Sequence, residues 1–403
     1  MSKRILIIGA GFAGMWSALG AARLVEESGQ NSETVEIVLV APSAELHIRP
    51  RFYEVPDKAM KAPLTAVFDA AGVKFIKGTV DKIRTDEMTV DVIDEAGQRT
   101  TMSYDRLVLA SGSRVRQPAI PGLQAHAQSV DQFDEIVALD DHLKGLADQA
   151  DTPARNTAIV IGGGFTGIEI AAELPARLRA ILGAQTDVNV VLIEQATDIG
   201  PELGSGPRPV IQTALKDLGV VCRLGTTVAA IDAGGVETST GERIEANTVI
   251  WTAGLRASAL TEQIPGTRDA QGRLHVDRDL RVLGVDNVFA TGDVAYAATD
   301  DEGHHAMMSC QHAMGLGRSA GHNVAADLLG LPAIAYSQPK YVTCLALGPW
   351  GAVYTEGWER EVKLQGAAAK ALKHQINTQW IYPPPATRAG VLAAADPLRV
   401  TVA

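Results

Sequence analysis

Cysteine is scarce in this chain of 403 residues: Cys222, Cys310 and Cys344 are few, odd in number and far apart. That excludes a disulfide-stapled fold and suits a reducing cytoplasm. Positive charge is also in deficit, with 36 Lys and Arg against 47 Asp and Glu, a formal net charge of -11. Such a balance argues against nucleic acid or an anionic membrane as the main partner. Long apolar runs are missing too. Nothing approaches the roughly 18 consecutive apolar residues that a membrane span needs, and no acylation signal is evident. The short apolar run in "MSKRILIIGAGFAG" breaks into glycines, so it reads as a nucleotide loop of mature sequence and not as a signal peptide.

Glycine, by contrast, is plentiful at 39 residues, and its placement is informative. Ile5 to Ile8 form an apolar run suited to a strand buried on both faces of a parallel sheet. Gly9, Gly11 and Gly14 follow in GxGxxG spacing, then "MWSALGAARLVEES" at helical spacing and a second apolar strand, Val35 to Val40. The same series returns at mid-chain: a strand from Ala158 to Ile161, then Gly162, Gly164 and Gly167, a helix, and "VNVVLIE" ending in Glu194. Gly9 to Ala41 and Gly162 to Glu194 span equal lengths. In each copy the first glycine permits a tight turn, the second lets a diphosphate touch the backbone, and the third lets helix pack on strand. The helix N-terminus then offers free N–H groups and a positive dipole end. One copy is as readily structural as functional; two in full strand–loop–helix–strand context point to two dinucleotide sites. The expected fold is therefore α/β, with two Rossmann-like dinucleotide-binding domains and a small α+β C-terminal domain.

The last residue distinguishes the copies. Glu194 can accept hydrogen bonds from both ribose hydroxyls and repels a 2′-phosphate, and no basic residue follows before Arg208, so the second site is expected to prefer NADH. The first copy has Ala41 where an acid would stand, leaving water or a neighbour such as Glu45 for that task.

With both loops placed, the chain resembles the two-dinucleotide flavoproteins that include glutathione reductase. "NVFATGDVA" carries Thr291, Gly292 and Asp293, and "LVLASGS" and "VIWTAGL" look like the two crossover strands between domains. The segment from Ala41 to Met60 holds no cysteine, which excludes the thiol relay of the disulfide reductases at that site. Pro50, Phe52 and Tyr53, "GGGFTGIE" and "MSCQHAMGLGRSAGHNVAADLLG" are instead similar to type II NADH dehydrogenases, NADH:quinone oxidoreductases. The resemblance implies FAD on Gly9, Gly11, Gly14, Arg49, Pro50, Val80, Ala110, Gly112, Gly292, Asp293 and Gln311. It implies NADH on Gly162, Gly164, Gly167, Glu194, Ala253 and Gly254. Ser309 reads as the N-cap of a helix whose positive end faces the flavin. Glu169 is implied at the meeting of nicotinamide and flavin, as a catalytic proton relay; the plainer reading is a carboxylate favoured by the helix dipole.

Two departures stand out. Arg51 replaces an apolar residue of the quinone reductases, and the C-terminal helix "LQGAAAKALKHQINTQWIYPPP" shows only a modest apolar face of Leu372, Ile376 and Trp380. A soluble, cytoplasmic relative with at most weak membrane-surface contact is expected. The domains are expected at 1–120 and 262–332 for FAD, 121–261 for NADH and 333–403 for an interface domain. In the last, Tyr336, Tyr341, Trp350, Tyr354, Trp358, Trp380 and Tyr382 gather, either as core or as walls for a planar acceptor. His304, His305, His312 and His322 cluster in sequence without metal-ligand geometry, and no metal is expected. Cys310 and Cys344 could approach one another near the flavin, but the plainer reading is of buried structural thiols. Partners are then NADH and a small, quinone-like electron acceptor, with a homodimer left open. Alternatives are a reductase of a small iron–sulfur protein, or an NADH-binding redox sensor with little turnover.

Overall fold

The computed structural model describes residues 2–31 and 33–400; the first and the last three positions of the expected domains lie outside them. Two parallel sheets carry the molecule. The first orders its five strands Val288–Ala290, Arg106–Leu109, Lys3–Ile8, Val35–Ala41 and Lys74–Lys77. The second orders four as Val220–Arg223, Asn189–Ile193, Thr157–Ile161 and Thr248–Trp251. In both, the glycine-bearing strand lies between the strand that follows its helix and one that returns much later. That reversal of order leaves a crevice at the carboxyl ends of the strands, where ligands of open α/β sheets bind.

The sheets repeat their additions as well as their cores. Each carries a three-stranded antiparallel meander, 79–103 on the first and 228–245 on the second, just before the returning strand. The short strands Ser113–Val115 and Leu255–Ala257 pair antiparallel where the backbone passes from one sheet to the other and back. The helix Phe12–Glu27 crosses Cys310–Leu329 closely because a Cβ at Gly321 would stand 2.1 Å from the Ser17 carbonyl oxygen.

Beyond residue 341 the strands Val342–Ala346, Ala352–Glu356 and Glu361–Gln365 form an antiparallel meander. The helix Gly366–Gln375 follows, passing into one π-type turn, Ile376–Trp380. One expectation is corrected here. The helix turns Ala369, Lys373 and Asn377 inward, while Trp380 stays exposed and Leu372 and Ile376 are half-buried. After the prolines, Arg388–Ala394 is helical, with Val391 and Ala395 fully buried among residues of Phe12–Glu27 and Thr65–Ala71. The C-terminal segment therefore straps back over the first sheet's helices. Leu345, Leu347 and Val353 of the meander share a core with the second sheet. Among the described residues no helix is long and apolar enough to cross a membrane.

Candidate active site

The two glycine loops are near-copies in geometry. Gly9 and Gly162 hold φ of 107° and 110°, open only to glycine without strain. A Cβ on Gly14 would fall 1.8 Å from the Gly9 carbonyl oxygen, and one on Gly167 would fall 1.7 Å from that of Gly162. Each helix thus starts hard against its strand. Both helices begin at a glycine, Gly11 and Gly164, without a side-chain cap and without an acidic residue in the first turn. Their leading N–H groups are left for a ligand, and a Cβ on Gly11 would meet nothing within 4 Å. This is what a diphosphate requires: open space, free N–H donors and a positive dipole end. The cradles fit the nucleotides that the sequence implies.

Both open on one continuous cleft of about 1820 Å³. Gly9, Gly11, Arg49, Pro50, Val80, Ala110, Gly112, Asp293 and Gln311 line its first part. Gly162, Gly164, Glu169, Glu194, Ala253 and Gly254 line its second. Gly14, Gly167 and Gly292 are not on the wall. They act from behind it by close packing, as where a Cβ on Gly292 would stand 2.6 Å from that of Ala13.

The polar groups of the first part are tied together. Asp293 accepts a 2.6 Å hydrogen bond from the Ser113 hydroxyl and lies 3.7 Å from Arg49, which also pairs with Asp131. Sequence reasoning missed Ser113 and Asp131, whose partners lie far away along the chain. Ser309 caps Cys310–Leu329 by accepting from the His312 N–H. Gln311 accepts from the Val342 N–H at 3.4 Å and so ties that helix start to the C-terminal meander. Glu45 lines the cleft near Ala41, in reach of His47 and Lys61.

Glu194 is more committed than its sequence suggests. One carboxylate oxygen accepts from the Gly163 N–H at 2.6 Å and the other from the Ala196 N–H at 2.7 Å. It therefore stiffens the loop as well as facing the cleft, with one lone pair on each oxygen left for a ribose hydroxyl. Arg51, the departure from the quinone reductases, takes no part in the cleft. It is buried, bonded to Glu54 and to the Tyr382 hydroxyl, and does not line the cleft, so its charge does not oppose an apolar acceptor there. Of the aromatic cluster, Tyr341 and Trp380 reach the cleft, while Tyr336 and Tyr354 are core.

Glu169 has a partner that the sequence did not announce. It is 3% exposed, and its Oε1 lies 3.0 Å from Lys373 Nζ and accepts a 2.9 Å bond from the Ala346 N–H. Lys373 also donates to the Cys344 carbonyl at 2.8 Å and stands over the rings of Phe165 and Tyr53. Burial pushes the Glu169 carboxyl up to about 7, against the pull of Lys373 and the Ala346 N–H. Burial opposes the Lys373 charge, but Glu169, with Cys344 and Cys310 nearby, outweighs it and holds the ammonium above its ordinary range. No local signal marks Lys373, which shares its helix with Lys370.

Residues 3–317 match the family model described as pyridine nucleotide-disulphide oxidoreductase. The chain belongs to that family. An NADH dehydrogenase-like protein of Mycobacterium tuberculosis is 50% identical over 98% of both chains. The demethylphylloquinone reductase NdbB of Synechocystis is 31% identical over 91% of this chain and 89% of its own. The structure of NDH2 from Plasmodium falciparum, solved with RYL-552, shares the fold at a TM-score of 0.78 and 12% identity, covering 98% of each chain. This family member is thus a flavoprotein oxidoreductase that uses FAD and NADH. Its thiols are set apart from the disulfide chemistry in the family's name: Cys222, Cys310 and Cys344 are free, and burial pushes Cys310 and Cys344 up to about 11. At neutral pH both are protonated and weakly nucleophilic.

Proposed function

We propose that the chain oxidises NADH and passes the electrons to a quinone or comparable small acceptor. The observation that carries this reading is the shared cleft: two diphosphate cradles open into one space, with the buried Glu169–Lys373 pair at its wall. FAD would be held by Gly9, Gly11, Gly14, Arg49, Pro50, Val80, Ala110, Gly112, Gly292, Asp293 and Gln311. NADH would be held by Gly162, Gly164, Gly167, Glu194, Ala253 and Gly254. This allots 1–120 and 262–332 to the FAD domain, 121–261 to the NADH domain and 333–403 to the interface domain. Bound FAD supplies the chemistry of taking a hydride and releasing two electrons.

The protein's own groups do the rest. The free N–H groups at Gly11 and Gly164 bind and orient the diphosphates. Asp293, fixed by Ser113, presents an acceptor to ribityl hydroxyls. The start of Cys310–Leu329, capped by Ser309, places its positive end where negative charge is to be stabilised. Glu169 holds or yields a proton near neutral pH at a carboxylate oxygen, beside the ammonium of Lys373. Quinone reduction consumes protons as well as electrons, and a carboxyl poised near the working pH relays them best. Absence of a cysteine from residues 41–60 favours such an acceptor over a disulfide. An acceptor panel tests the assignment: NADH oxidation is expected with short-chain quinones and not with glutathione disulfide or an iron–sulfur protein. Turnover with the disulfide or the iron–sulfur protein alone contradicts it.

A further inference from the structure

Arg360 closes the four-residue turn between Ala352–Glu356 and Glu361–Gln365, and its backbone stands at φ 57°. That left-handed conformation is one in which glycine is the default, so a bulky side chain there is held at a cost. The side chain is 6% exposed, lines the cleft, and leaves Nη1 buried without a hydrogen-bond partner. Among the described residues no carboxylate forms an ion pair with it. Burial accordingly pulls its pKa below the usual arginine range, and only Tyr341 opposes this.

What holds the guanidinium is aromatic. It lies 4.0 Å from the ring centre of Tyr341 and 5.9 Å from that of Trp358, and Tyr341 stacks on Trp358 at 4.9 Å and on His312 at 4.8 Å. Such packing fixes a cation in place and leaves its N–H fork without an anion. The turn also docks on the loop beside the second cradle. A Cβ on Gly206 would fall 2.2 Å from the Arg360 carbonyl oxygen, and one on Gly204 would fall 3.4 Å from the Arg360 side chain. The Gly200 N–H of that loop donates to the Gly163 carbonyl, and its Glu202 carboxylate comes within 4.0 Å of where a Cβ on Gly164 would be. Glu194 and Glu202 thus put two carboxylates next to a cradle meant for a dianion, and Arg360 is a buried cation that lines the same cleft.

We propose that Arg360 binds the diphosphate of the nicotinamide nucleotide, so that the C-terminal hairpin completes the second nucleotide site. This rests on reading the second cradle as the NADH site. The cradle's N–H groups and the arginine fork meet the diphosphate from different elements, and the fork's geometry suits phosphate oxygens. The bound dianion satisfies Nη1 and offsets the repulsion of Glu202.

The test is binding of ADP-ribose to the oxidised, flavin-loaded protein, followed by tryptophan fluorescence, with adenosine as the phosphate-free control. Arg360→Met and Arg360→Gly are compared with the unaltered protein. Glycine suits the left-handed backbone, so that variant keeps the turn, and bound-flavin absorbance verifies folding. Both substitutions are expected to weaken ADP-ribose by about tenfold or more and to leave adenosine unchanged. Both should also be reduced at the original rate by 1-benzyl-1,4-dihydronicotinamide, a hydride donor without phosphate. Unchanged ADP-ribose affinity overturns the proposal, as does equal weakening of adenosine. A raised KM for an anionic acceptor with ADP-ribose binding intact overturns it too, in favour of the acceptor as the anion. Failure of the unaltered protein to bind ADP-ribose at all removes the reading of the second cradle, and this inference with it.

Discussion

Replacing Glu169 by glutamine keeps the shape of the side chain and removes its proton chemistry. With its pKa at about 7, the carboxyl is about 90% protonated at pH 6 and about 10% at pH 8. A step that takes its proton from Glu169 therefore slows by nearly tenfold across that interval, falling as the pH rises. The assay is stopped-flow reoxidation of NADH-reduced protein by a short-chain quinone, followed by flavin absorbance between pH 6 and pH 8. Glu169→Gln is expected to abolish the inflection and to slow the reaction by tenfold or more, about 1.4 kcal/mol in barrier. Lys373→Met should shift that inflection. Loss of the ammonium 3.0 Å away removes a charge that favours the carboxylate, so the carboxyl rises above 7 and the inflection moves to higher pH. A rate that is flat with pH in the unaltered protein, or an inflection that survives Glu169→Gln, refutes the relay and leaves Glu169 a structural partner of Lys373 and the Ala346 N–H.

The paired cradles make separable predictions. Gly14→Ala drives a Cβ to 1.8 Å from the Gly9 oxygen and is expected to yield protein without flavin, whereas Gly167→Ala, at 1.7 Å from the Gly162 oxygen, should stay yellow and lose ADP-ribose binding in a titration. Glu194→Arg should narrow or invert the preference for NADH over NADPH in steady-state kcat/KM; equal use of both nucleotides by the unaltered protein removes the role given to Glu194. Val391→Asp puts a charge at a fully buried site between the tail and the first sheet's helices. It should cost several kcal/mol, roughly 3 or more, read as a lowered thermal midpoint for flavin release. Since the C-terminal helix turns its polar Lys373 and Asn377 inward and leaves Trp380 exposed, only weak, salt-reversible sedimentation with anionic vesicles is expected, and retention through a high-salt wash speaks against it.

The parts legible in sequence were those written in short-range pattern. The strands ending at Ile8 and Ile161, their glycine loops and the Ser309 cap all follow from local periodicity and turn chemistry. The parts that were not legible depend on contacts between distant segments. Lys373 meets Glu169 across more than half the chain, and nothing local distinguishes it from Lys370 on the same helix. The apolar stripe of Leu372, Ile376 and Trp380 was a fair reading of an isolated helix. It fails because an ion pair with Glu169 and a hydrogen bond to the Cys344 carbonyl make the other face the buried one. Arg51 stands out in sequence as a charge in place of an apolar residue, and its partners Glu54 and Tyr382 show only in the fold. The helix Arg388–Ala394 was hidden by its small, alanine-rich composition, which reads as a tail without the groove that it fills.

The central claim is that electrons pass from NADH through one cleft to a small acceptor, repeatedly. It is tested most directly by anaerobic titration of the purified protein. The account predicts a flavin absorbance that one equivalent of NADH bleaches, that a short-chain quinone restores, and that cycles through many turnovers while NADH lasts. A flavin that NADH does not bleach, or one that bleaches once and is not restored by any quinone, contradicts it.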